Sequence, residues 1–192
     1  MNVFFLHNDP QICAEMHCDK HLLKMVIEYA QLLSTAHRVL DGTLGITLSD
    51  SGRKRQTYTL NDGRDGLLYS ATHVNHPSAI WVRDNIENYL WLYDMWSHLL
   101  DEYTYRYGKQ HSCARLICAL AITPRNISTA SKFFPPTPAM PAELKIVADN
   151  PLPGRKYDVL KSYHNYYNVE KRSFASWKGK VNSRPTPQWF NV

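Results

Sequence analysis

Residues 16–37, MHCDKHLLKMVIEYAQLLSTAH, hold the densest potential chemistry in the chain. Leu22, Leu23, Met25, Val26, Ile27, Leu32 and Leu33 are what a buried helix requires. His17, His21, Lys24, Glu28, Gln31 and Thr35 interrupt them at steps of three and four. At about 100° per residue, these six fall in a sector roughly 80° wide. Two imidazoles, an ammonium, a carboxylate, an amide and a hydroxyl on one rigid wall can donate, accept and titrate. That combination suits general acid–base work in a groove. The competing reading is a solvent edge, on which Lys24 and Glu28 form an i,i+4 pair worth about 0.2–0.5 kcal/mol. Long flexible charges, rather than two histidines with Gln and Thr, usually fill such an edge.

A metal reading competes as well. His17 and His21 stand one turn apart, Cys13 lies near the same line, and His7, His73 or His76 could complete a set. Lys24, one turn away, would repel the cation. The site is therefore read as free of metal and cofactor. His73 and His76, in THVNHPSAIW, just precede a helix that Pro77 opens. They serve either as cap chemistry or as residues at the mouth of the groove.

These side chains require helices to position them. Asn8-Asp9-Pro10 starts a first helix that runs to about Leu40, where Asp41-Gly42 stops it. Residues 41–71 form an insert, either a loop or a β-hairpin turning at Asp50-Ser51-Gly52. A second long helix spans Pro77 to Tyr107, with an apolar stripe from Ile80 to Leu100. A third covers His111 to Ala121. FFPPTPAMP opens a Pro-rich extended segment, 133–153, and a last helix runs from about Lys156 to Trp177. The expected fold is mainly α: one compact helical domain over 1–192, with a possible small hairpin insert and a basic, aromatic C-terminal segment.

Charge is unevenly distributed. From Gly154 onward eight basic residues face Asp158 and Glu170, a balance of +6 within a total of +5. Residues 1–153 therefore carry −1. A basic segment on a neutral body implies a polyanion, most simply DNA. Aromatic side chains interleave it, and these can stack on bases or wedge a helix open. Tyr163, Tyr167 and Phe174 have core spacing, so Trp177, Lys178, Lys180 and Arg184 are the better contact candidates. No stretch has the length of a membrane span or the pattern of a signal peptide. The four cysteines then read as reduced thiols of a cytoplasmic protein.

Asp19-Lys20-His21-Leu22, with Glu28 seven residues after the histidine, resembles the phage pyrimidine-dimer DNA glycosylases of the endonuclease V type. Thr72-His73-Val74 is similar to that family's Gly-His-Val, and Trp177-Lys178-Gly179-Lys180 to its aromatic-basic tail. The resemblance implies an all-helical DNA repair enzyme acting on duplex DNA with a damaged or modified base. There an N-terminal amine attacks the sugar, a helix glutamate is essential, and strand cleavage follows. It carries the glutamate role to Glu28 and a DNA-contact role to His21. It also makes the Met1 amine or Lys24 the candidate nucleophile. His17, Gln31, His73 and His76 join the tail residues as expected DNA contacts. Three features depart from the pattern: Asn2 keeps Met1 in place, Ile27 and Gln31 stand where arginines are expected, and 41–71 is an insert. Two other classes remain open. One is a DNA-binding phage protein without catalysis, and the other a metal-dependent enzyme acting on a nucleotide or modified base, told apart by turnover and by bound metal.

Overall fold

The computed structural model describes residues 1–48, 52–130 and 132–191. Within them the chain is predominantly helical, with two small antiparallel hairpins. α1 (Pro10–Met16) starts where Asp9 accepts the Ile12 N–H and Pro10 occupies the first turn. α2 (Asp19–Asp41) follows. One continuous helix was expected here, but His17 and Cys18 adopt extended backbone and break it. The cause lies far away in sequence. The buried Arg106 guanidinium takes the Glu15 and His17 carbonyls, at 2.7 and 2.9 Å, and the Trp177 indole takes that of Met16. Carbonyls that would have continued the helix thus find partners across the core.

β1 (Thr43–Leu48) and β2 (Lys54–Thr59) pair with Leu44 opposite Tyr58, Ile46 opposite Gln56 and Leu48 opposite Lys54. The insert is therefore the hairpin alternative, and its expected turn at residues 50–52 falls largely outside the described residues. Gly42 makes its close departure from α2 possible, because a Cβ there would lie 2.4 Å from the Arg38 carbonyl. α3 (Pro77–Asp84) and α4 (Ile86–Tyr107) divide the expected second helix at Asn85. Asn85 is extended, caps the Asn88 N–H, and leaves the Ile86 N–H to Ser128. A 3₁₀ turn (Ser112–Leu116) and α5 (Ile117–Ala121) replace the third helix. Residues 133–139 form neither helix nor strand, as their prolines favour. The following hairpin, β3 (Ile146–Leu152) and β4 (Arg155–Asp158), was not foreseen and shortens the last helix to α6 (Val159–Tyr166) with a π turn to Lys171.

α4 packs against α1 and α2. Trp96, fully buried between α4 and α2, donates its indole N–H to Val26 O at 2.9 Å. Truncating it to Ala should cost about 3–5 kcal/mol. Val3–Leu6 thread the same core as an extended segment and are all buried. The Phe4 N–H donates to the Tyr29 hydroxyl, Cys13 Sγ–H to Phe4 O, and His164 Nε2–H to Leu6 O. The chain start is thereby held against α2 and α6. Among the described residues no helix is long and apolar enough to cross a membrane.

Candidate active site

The fixed N-terminal segment delivers Met1 to the start of α3, where the Ser78 hydroxyl donates to Met1 O at 3.4 Å. His76 caps that helix, and its Nδ1 accepts the Ser78 N–H at 3.1 Å. In the neutral ring the proton then sits on Nε2, leaving a donor free. Burial first, then the Met1 ammonium and His73, lower the His76 pKa, and the Glu28 carboxylate opposes them. The amine, His73 and Glu28 are the charged or titratable groups that act on this imidazole. Glu28, mid-way along α2, keeps 17% of its side chain exposed and meets Lys24 Nζ at 3.2 Å. Lys24 itself is 65% exposed, so it lacks the desolvation that a lysine nucleophile depends on.

His73 sits at φ +48°, a left-handed conformation that side chains other than glycine rarely adopt. Three interactions hold it there. Thr35, fully buried on α2, accepts the Thr72 N–H at 3.2 Å. His73 O accepts the His76 N–H, and Arg83 donates to Val74 O at 2.7 Å. The last residue of the polar column therefore positions a strained loop rather than reacting. A recess of about 520 Å³ opens between this loop and the hairpin, lined by Gln56, Tyr58, Ala71, His73 and His76 among others.

The rest of the column divides. Gln31 is partly exposed one turn beyond Glu28. His17, expected to touch DNA, is fully buried and offers no surface. Its Nδ1–H donates to Cys13 O at 2.8 Å, and Tyr29 donates to its Nε2 at 2.9 Å. Burial pushes its pKa down to about 4. His21 stacks on Phe4 with 4.1 Å between ring centres and meets the Tyr167 hydroxyl at 2.5 Å, with only 7% of it accessible. Burial, aided by His17, lowers it to about 3. The break at Cys18 also removes His17 from the helix that carries the other five. Among the described residues no three His, Cys, Asp or Glu side chains gather to hold a metal.

In the tail, Trp177 is buried and bonded to Met16 O, so it cannot present its face to a base as expected. Arg184 pairs with Glu102 at 2.8 Å and lies over Tyr105, which commits its charge internally. Lys178 and Lys180 remain exposed. Asp19 accepts the Lys178 and Gly179 N–H groups, and the Arg106 carbonyl accepts that of Lys180. Lys161 likewise pairs with Asp149 and Asp158. Lys20 joins the exposed cations, its Nζ 4.6 Å from the Phe174 ring centre. Sequence reasoning missed the anchoring roles of Asp19, Thr35, Ser78 and Arg106. Asp19, in the quoted Asp-Lys-His-Leu run, and Thr35, in the polar column, carried a signal; Ser78 and Arg106 carried none.

A search of curated proteins and a search of solved structures each return no match. A family model does match residues 1–115, from the buried N-terminal segment through the 3₁₀ turn after α4, including α2 and the His73–His76 loop. That span is more than half of the 192 residues, and the chain belongs to the pyrimidine dimer DNA glycosylase family.

Proposed function

We propose that the protein excises a damaged pyrimidine from double-stranded DNA, using the Met1 α-amine as nucleophile and Glu28 as the proton-handling carboxylate. The amine lone pair attacks C1′, and the glycosidic pair leaves with the base, which takes up a proton. The sugar ring then opens to an imine as its ring oxygen is protonated. Removal of a C2′ proton would expel the 3′ phosphate and cut the strand. With Glu28 serving the amine, its carboxylate can hold the cationic intermediate and move each proton. His76, neutral and with Nε2–H free, supplies a donor for the sugar or leaving base. Lys178, Lys180 and Lys20 supply phosphate contacts, with Gln31 and His73 at the rim of the groove. The observation that carries this reading is the mounting of Met1 at the start of α3, where Ser78 holds its carbonyl beside the capping His76.

Borohydride reduction in the presence of abasic or dimer-containing duplex DNA tests it. An imine is reduced to a stable covalent protein–DNA adduct. Acetylating the N-terminus should abolish the adduct, whereas Lys24→Ala should leave it. The reverse pattern would move the nucleophile to Lys24. No adduct with any damaged or abasic DNA would refute an amine mechanism.

A further inference from the structure

The β1–β2 hairpin presents an unusual surface. Antiparallel pairing places Leu44, Ile46 and Leu48 on the same face as Tyr58, Gln56 and Lys54. The three aliphatic side chains are 53%, 69% and 69% exposed. A two-stranded ribbon has no need of such a ladder unless something covers it, because scattered polar residues would serve a free surface. The hairpin is also rigidly mounted. Arg38, buried on α2, donates to Tyr58 O at 2.8 Å, to Tyr69 O at 2.6 Å and to the Asp65 carboxylate at 2.7 Å. Its orientation is therefore fixed to the helix that carries Glu28.

We infer that this hairpin is a wedge for opened duplex DNA, with its aliphatic face against bases and Lys54 and Arg55 against phosphates. Three observations select DNA as the occupant. Residues 43–60 hold Arg53, Lys54 and Arg55 against the single acid Asp50, and Lys54 and Arg55 are exposed. The aliphatic face also runs straight into the recess beside the capping histidine, since Gln56 and Tyr58 on that face line it together with His73 and His76. Spacing fits as well: alternate residues of a strand stand about 6.8 Å apart, close to two base steps of DNA at about 3.4 Å each. Apolar side chains entering a base step unstack it, and the bent duplex then meets more protein. The wedge rests on the glycosylase reading only for its chemical readout; opening itself is measurable without turnover.

The test replaces Leu44, Ile46 and Leu48 with Ser in the full chain. All three are exposed, so the melting temperature should stay unchanged; should it fall, Ile46→Ser alone carries the test. Two duplexes are compared, one with a fully paired abasic site and one with the same site inside a mismatched bubble. Single-turnover adduct formation should drop roughly tenfold or more on the paired duplex and less than about twofold on the bubble, where unstacking is already done. Equal losses on both, or none on either, would overturn the wedge. A 2-aminopurine beside the abasic site reads opening directly: its fluorescence should rise with the wild-type protein and fail to rise with the variant. If the wild type forms no adduct but still raises the fluorescence, the glycosylase reading fails while the wedge stands. A concentration-dependent dimer lost in the variant, with fluorescence unaffected, would assign the face to a second copy instead.

Discussion

His17 and His21 at one end of the polar column, and His73 and His76 in the loop before α3, carry the same imidazole to opposite surroundings. The first pair is buried, hydrogen-bonded and driven neutral by desolvation. It locks the extended N-terminal segment, and so fixes where the Met1 amine ends. The second pair lines a recess, one of the two on strained backbone and the other capping α3 beside the Ser78 that holds Met1. Satisfied polar groups build a scaffold, while strained and open ones are left for work. The difference explains why a histidine count on a helix face could not separate them.

The largest expected effect falls on the open side. Glu28→Gln keeps size and removes charge, so the fold and melting temperature should persist while adduct formation falls about 10²–10⁴-fold. The same change should lower the His76 pKa further, because the carboxylate is the group that raises it. Acetylating Met1 removes a cation and should raise it. An NMR titration of His76 that ignores both changes would remove the amine and the carboxylate from the surroundings of this ring.

The buried side should respond to acid instead. His17 and His37 are held near pKa 4, below the 6.5 of an unfolded chain, through burial first and then neighbouring cations. Because the folded value is depressed, the stability they contribute is fully present above pH 6.5. It is lost as the pH falls toward 4. Each is worth on the order of 3 kcal/mol by linkage. Denaturant midpoints measured between pH 7 and 4 should therefore drop, and His17→Phe should flatten part of the fall. A stability that is level across that window would mean these rings are not buried neutral.

Much of this arrangement was legible in the sequence, for identifiable reasons. The 3.6-residue periodicity exposed α2, and the Asp9-Pro10 and His76-Pro77 starts exposed the caps. Glu28 was visible as a carboxylate on an otherwise apolar helix, and the two histidines before α3 as either cap chemistry or groove residues. What stayed hidden depended on partners distant in sequence. The break at Cys18 needs Arg106, some ninety residues away, and the burial of Trp177 needs Met16. Nor could charge counting see that Arg184 would be spent on Glu102 and Lys161 on Asp149. The β3–β4 hairpin was hidden because its Pro153-Gly154 turn closes a segment whose prolines read as extended chain.

His73 offers the smallest effect and the finest cut between scaffold and site. At φ +48° a Cβ crowds the backbone, and a left-handed residue other than glycine costs about 1–2 kcal/mol. His73→Ala keeps that strain and removes the imidazole, which bonds Thr72 Oγ1 at 2.7 Å. His73→Gly removes both. At an ordinary helical position Gly is less stable than Ala by about 1 kcal/mol. Here the order should invert, with Gly the more stable by about 1 kcal/mol in urea unfolding. Both variants should lose catalytic rate to a similar extent if the imidazole itself meets the DNA. A Gly variant that recovers the rate while Ala does not would show that His73 matters only through the backbone conformation it is forced to hold. The His73–His76 loop would then be a shaped wall, and His76 alone would face the substrate.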